Sequence, residues 1–258
     1  MNDVNGYVER MNKSIDYKTF WFDKVDTSKF DRIIDFGCGD GTLGLEILAD
    51  ERFNGTEVIF YETSPEMVKK LRSRLVDADQ DRITIITNYE LLKPLLRHER
   101  TLIVFSSVLH ECYSFNTLPF DWRELRCAYI VIRDMGCQSD VRFSLIDKLK
   151  IFIGSRKKHY FDFFKRYGHS DESHLHFLLK HLYKENWDTE VLENYFATNW
   201  IGIIGDLTVF NPFVDYQVSH YEVYNIPFLV NYSKKQFGVD YNFRTHVEMI
   251  FGRVDNYD

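Results

Sequence analysis

Arg32-Ile33-Ile34-Asp35-Phe36-Gly37-Cys38-Gly39-Asp40-Gly41-Thr42 is a short apolar run that breaks into three closely spaced glycines. A strand over Arg32–Phe36, a glycine bend and a helix over Thr42–Ala49 open a βαβ unit. Glycine lets the backbone turn tightly and approach a ligand where a side chain would clash. The helix that follows begins with unpaired N–H groups. Such a bend is a nucleotide site in general terms, and the acids around it narrow the choice. Asp35 precedes the first glycine by two positions, so a carboxylate suits a cationic ligand there and opposes a pyrophosphate. Glu62, at the end of the next strand, suits the two hydroxyls of a ribose. Gly39-Asp40-Gly41-Thr42-Leu43-Gly44 also matches GxGxxG, the dinucleotide fingerprint, so NAD stays open as a rival ligand.

Outward from the bend the alternation continues. Strands are expected at Glu57–Tyr61, Arg82–Thr87, Thr101–Phe105 and Ala128–Arg133. Helices are expected from Pro65 to about Leu75 and over Leu91–His98. Strands separated by helices at this spacing imply parallel pairing and a doubly wound α/β sheet, with ligands at the carboxyl ends of the strands. Upstream, Tyr7, Met11, Ile15 and Phe22 predict a helix over residues 7–25. After Gly136 the rhythm changes. Residues 141–200 read as helices, with Leu175, Leu178, Leu179, Leu182 and Tyr183 on one face. Tyr216–Tyr224 and Thr245–Gly252 then read as two closing strands of the same sheet. The expected organisation is one domain over 1–258, with residues 138–200 a helical insertion or lid.

The bulk composition sets limits. Hydrophobic residues make up 45% of the 258, enough for a packed core. No apolar run reaches the roughly 18 residues of a membrane span, and Met1 to Arg10 lacks the apolar core of a signal peptide. Cys38, Cys112, Cys127 and Cys137 form no CxxC pair, which fits a reducing compartment and a cytoplasmic setting. The net charge of −7 disfavours a broad phosphate-binding face. The dense basic run, Lys148, Lys150, Arg156, Lys157, Lys158 and His159, fits a solvated helix face better than a phosphate patch.

Arg32–Gly41 resembles motif I of the class I methyltransferases that use S-adenosyl-L-methionine (SAM), and the next four strands are similar to theirs in order. The resemblance covers about residues 30–136, and the last two strands loosely. Met11-Asn12-Lys13-Ser14, Asp16, Lys18, Phe20, Asp35-Phe36-Gly37-Cys38, Ser106-Ser107-Val108-Leu109-His110-Glu111 and Arg133-Asp134-Met135 resemble a bacterial and phage-type subgroup. So do Lys184-Glu185-Asn186-Trp187 and Glu193-Asn194-Tyr195-Phe196, which the likeness places over the substrate.

This likeness implies SAM as cofactor and a Rossmann-like fold. Gly37, Gly39 and Gly41 would wrap the methionine part, with Asp35, Phe36 and Cys38 beside it. Glu62 would take the ribose, with Thr63 near it. Many members meet the adenine amine with an acid after the third strand; here Asn88 stands there, able to accept through its carbonyl, with Tyr89 able to stack. Ser106 and Ser107 would line the cofactor–substrate junction.

The candidate proton acceptors are His110, Glu111 and Asp134, all expected on strand-exit loops; Arg133 and Asp134 could instead form a local ion pair. No metal set is expected: of His159, His169, His174, His176 and His181, the pair His174 and His176 cannot share a helix face. Tyr160, Phe161, Phe163, Phe164 and Tyr167 are expected to pack rather than stack on bases. Ser106–His110 replaces the Asn/Asp-Pro-Pro-Tyr/Phe of exocyclic DNA-amine methylation, and no Pro-Cys nucleophile serves 5-methylcytosine chemistry. The expected reaction is methyl transfer to O or N of an acceptor, a small molecule ahead of RNA. A SAM-binding protein without catalysis is the reading from another class.

Overall fold

The computed structural model describes residues 15–76, 78–136 and 140–254. The expected helix over 7–14, the Met11–Ser14 motif and Cys137 lie outside the described residues. Seven strands form one sheet in the order β3-β2-β1-β4-β5-β7-β6. They are β1 (Arg32–Phe36), β2 (Glu57–Tyr61), β3 (Ile83–Ile86), β4 (Thr101–Ser106), β5 (Tyr129–Met135), β6 (Tyr216–Tyr224) and β7 (His246–Arg253). The first five are parallel. β7 runs antiparallel between β5 and β6.

The central strands are buried along almost their whole length, as continuous apolar runs covered on both faces must be. Ile34, Phe36, Ile103, Phe105 and Ile132 pack on one face. Ile33, Val58, Phe60, Val104 and Val131 pack on the other. The period-2 alternation of the strands makes that division.

Helices join the strands: α1 (Ile15–Lys18), α2 (Thr42–Ala49), α3 (Pro65–Arg74), α4 (Tyr89–Leu92) and α5 (Leu109–Phe115). The helix expected to reach residue 25 ends at Lys18. Trp21 and Phe22 leave the helical path to pack with Phe53 in the core, and burying two large aromatics outweighs a continued helix. The helix expected over Leu91–His98 is split: α4 ends at Leu92 and a 3₁₀ turn follows at Leu95–Arg97. Pro94, lacking an N–H, breaks it.

Between β5 and β6 lie α6 (Leu145–Gly154), α7 (Lys157–Tyr167), α8 (Asp171–His181), α9 (Trp187–Glu190) and α10 (Trp200–Thr208). These helices build a second core around Phe163, Leu175, Phe177 and Trp187, joined by α11 (Pro227–Phe237) from between β6 and β7. Tyr160, Phe163 and Phe164 are buried there, while Phe161 is exposed. Lys148 pairs with Asp171 at 2.7 Å and Lys158 with Asp162 at 2.8 Å, so these members of the basic run already carry acidic partners. Among the described residues, no helix is long and apolar enough to cross a membrane. Cys38, Cys112 and Cys127 are free thiols.

Candidate active site

The carboxyl ends of β1, β2 and β4 open on a cleft of about 740 Å³. The bend after β1 forms its floor. Gly37, Gly39 and Gly41 have φ of +70°, +58° and +81°, a left-handed run that only glycine adopts without strain. Their reasons differ. A Cβ on Gly39 would meet nothing within 4 Å, so its bare face is open cleft; a Cβ on Gly41 would come within 2.3 Å of Leu71 Cδ1. Gly41 therefore serves packing of the bend against α3 and does not line the cleft. Gly44, the third glycine of the GxGxxG register, would press a Cβ to 2.1 Å from Phe60 Cε1 and likewise seats α2 on the sheet.

Glu62 closes the bend from β2. Its Oε2 accepts from Gly39 N at 3.0 Å and its Oε1 from Ser64 N at 2.7 Å. The carboxylate lines the cleft beside Thr63. Asp35, only 2% exposed, lines the same cleft with Phe36 and Cys38, and its Oδ2 has no hydrogen-bond partner. Burial pushes Asp35 up to about 7, while the charge of Lys18 and the Gly44 N–H pull the other way. Lys18, at the end of α1, also faces the cleft. Burial, then the charge of Arg133, brings it down to about 8. Asp35 and Lys18 thus stand at one end of the cleft without forming an ion pair. Lys18 entered the sequence reading only as part of a motif; its place in the site follows from the chain folding back over β1.

Asn88 and Tyr89 do not line the cleft. Asn88 Oδ1 accepts from Glu90 N at 2.9 Å and caps α4, which uses the group expected to meet adenine. Tyr89 packs against the core at the start of that helix.

The other end of the cleft is built after β4. Ser106 and Ser107 line it, with Val108, Glu111, Cys112 and Phe115 of the following turn and helix. Ser107 takes φ +61°, a strained value for a serine, and its Oγ accepts from Arg133 Nη1 at 2.6 Å. Asp134 lies inside β5 rather than on the loop after it, and is fully buried. It is not paired with Arg133, because neighbours on a strand point to opposite faces. Arg133 donates to Ser107 and, from Nε, to Tyr224 Oη at 3.0 Å.

Asp134 Oδ1 instead meets His110 Nδ1 at 2.5 Å, and its oxygens also accept from Leu109 N, His110 N and Met135 N. Burial opposes a charge on His110, but the charge and hydrogen bond of Asp134 outweigh it and raise the imidazole to about 9. Burial also raises the Glu111 carboxyl. His110 and Asp134 sit behind the cleft wall; Glu111 faces both the cleft and a smaller void beside His110.

The segment from Lys184 to Phe196, which the sequence likeness places over the substrate, completes this end. Asn186, Thr189, Glu190 and Glu193 reach the cleft from the helical segment around α9. Glu193 lies far from Glu111 along the chain, and only the fold brings the two together. Burial raises Glu193 and lowers Lys180, which stands 3.6 Å from Glu190 and 3.9 Å from Glu193.

No protein-family model matches the sequence, and a search of curated proteins finds no match. Among solved structures the chain is similar to an O-methyltransferase family protein from Burkholderia thailandensis. The identity is 12% and the TM-score 0.52, over 98% of this chain and 60% of that one. It is also similar to the mitomycin 7-O-methyltransferase MmcR, at 11% identity and TM-score 0.49 over 98% and 59%. The YcgJ protein from Bacillus subtilis gives 13% and 0.48 over 98% and 100%. The first of these likenesses is one of fold: a seven-stranded mixed sheet flanked by helices, as in that O-methyltransferase family protein.

Proposed function

We propose that this chain is an enzyme that moves a methyl group from SAM to an oxygen or nitrogen atom of a small molecule. The observation that carries the reading is the bare Gly39 bend, flanked by an unpartnered buried oxygen of Asp35 and held by Glu62. A ligand with a positive charge, a sugar diol and an amino-acid end fits those groups. Bound there, SAM supplies a methyl group already activated on a sulfonium. Asp35 takes the ammonium of the methionine end and Lys18 its carboxylate. Glu62 keeps a lone pair on each oxygen for the ribose hydroxyls while holding the bend. The peptide faces of Gly37 and Gly39 admit the methionine chain, and Thr63 and Ser106 border it.

Catalysis of such a transfer rests mainly on holding the acceptor in line. Glu111, which faces the cleft, accepts the proton of the acceptor's nucleophile and passes it to solvent, while His110, held by Asp134, positions the wall behind it. Residues 138–200 act as the lid, contributing Asn186, Thr189 and Glu193 above the acceptor. Glu111, Glu190 and Glu193 wall the acceptor end. Lys148 and Lys158 are already paired with acids, which leaves less basic surface for an RNA backbone and favours a small molecule.

Calorimetry with SAM, S-adenosylhomocysteine and NAD tests the reading. Binding of both sulfur ligands is expected; binding of NAD alone would overturn it.

A further inference from the structure

We propose that the chain binds one divalent metal ion on His110, Glu111 and Glu193. The proposal rests on the methyltransfer reading and says how its acceptor end works. The three ligand atoms, one imidazole nitrogen and one oxygen from each carboxylate, all lie within 4.8 Å of one another. Nδ1 of His110 is committed to Asp134, and Asp134 is itself fixed by three backbone N–H groups. That leaves Nε2 for the site. A carboxylate behind an imidazole is the arrangement that fixes the tautomer and direction of a metal-binding histidine.

A second observation points to a ligand. The His110 side chain is 6% exposed, and its Nε2 meets no hydrogen-bond partner among the described residues. The Glu111 carboxylate has none either. These unsatisfied groups border a void of about 30 Å³, which meets the large cleft along Ser107, Glu111 and Glu193. A void of that size has room for a water or a bare ion. One nitrogen with two carboxylates suits a first-row ion such as Mn²⁺ or Zn²⁺.

Two protein cations adjoin the site. Lys180 is nearer Glu190 than Glu193, and Glu190 also accepts from Tyr195 Oη at 2.7 Å. Arg133 is engaged with Ser107 and Tyr224. Neither is ion-paired to Glu111. An ion here holds an acceptor oxygen at the mouth of the cleft and makes its proton easier to lose, without itself being consumed.

The test is a Mn²⁺ titration of the chelator-treated full chain, followed by electron spin resonance. One Mn²⁺ per chain is expected. Glu193→Gln and Glu111→Gln should each weaken it by about tenfold to hundredfold. Glu222→Gln is the control, because His220, Glu222 and Glu248 form another, more exposed trio that could take a metal; it should leave binding unchanged. The proposal is overturned if wild type binds no Mn²⁺ up to about 1 mM. It is equally overturned if Glu193→Gln binds as wild type, or if the loss follows Glu222→Gln. Should Glu193→Gln fail to fold, as a urea melt would show, Glu111→Gln decides alone. S-adenosylhomocysteine titrated into wild type separates the two ideas. Mn²⁺ without nucleoside binding sinks the cofactor reading and spares the ion site, and the converse sinks only the ion.

Discussion

Replacing Glu62 by alanine removes a carboxylate that has two jobs. It accepts from Gly39 N and Ser64 N, so its loss frees two partly buried donors. At about 1 kcal/mol for each lost hydrogen bond, the fold should weaken by about 2 kcal/mol. In the cofactor complex it should also lose the charge-assisted bonds to the ribose, worth about 1.5–3 kcal/mol, or roughly a tenfold to 150-fold rise in Kd. Calorimetry with S-adenosylhomocysteine reads the sum. An analogue lacking the 2′- and 3′-hydroxyls isolates the second job: it should bind wild type and Glu62→Ala to within about threefold of each other, because it never used the ribose bonds. An unchanged Kd for the natural ligand would refute the assignment. An equal loss for both ligands would show that Glu62 acts only by shaping the bend.

Three more outcomes are expected. S-adenosylhomocysteine affinity should rise with pH through about 7, as Asp35 ionises to meet the ammonium, and fall above about 8, as Lys18 loses the charge that meets the carboxylate; calorimetry across that range should give a bell whose acid limb disappears in Asp35→Asn. Gly39→Val should melt cooperatively, at a cost of about 1–2 kcal/mol for its left-handed backbone, yet lose the cofactor because the side chain enters the cleft, whereas Gly41→Val, driven into Leu71, should cost about 2–4 kcal/mol by urea denaturation. Asp134→Asn should destabilise by about 3–5 kcal/mol on the same assay, since an amide cannot accept from three backbone N–H groups and an imidazole at once.

The parallel half of the sheet was legible because its signals are local. Apolar runs of strand length end in glycine, Pro65 opens α3, and the ends of β1, β2 and β6 fall where the sequence places them. The glycine bend and its two acids were legible for the same reason, since each sits at a fixed offset from a strand end. Local pattern fails where a residue is claimed by something distant. Asn88 is at the expected place in the chain, but α4 needs a cap and takes its carbonyl. Trp21 ends a helix early because Phe53 offers it a core. Asp134 reads as a loop residue until β7 pairs with it through Val247 and lengthens β5. Lys18 and Glu193 stood in the sequence only as members of motifs, because their closeness to Asp35 and Glu111 exists only in three dimensions.

The order in space departs from the order in the chain at the antiparallel edge, and this has a consequence for how the molecule assembles. β6 is synthesised before β7, yet β7 is the strand it pairs with. Until β7 arrives, Tyr216–Tyr224 is a nine-residue ribbon with no ladder, showing Val218 and Tyr221 to solvent, and β5 is bare along one side. Waiting edges of this kind invite mispairing with a neighbouring chain. Refolding at high concentration is therefore where this protein is most exposed to aggregation, and insertion of β7 closes the bare side of β5 and one side of β6, leaving β6 as the sheet's outer edge.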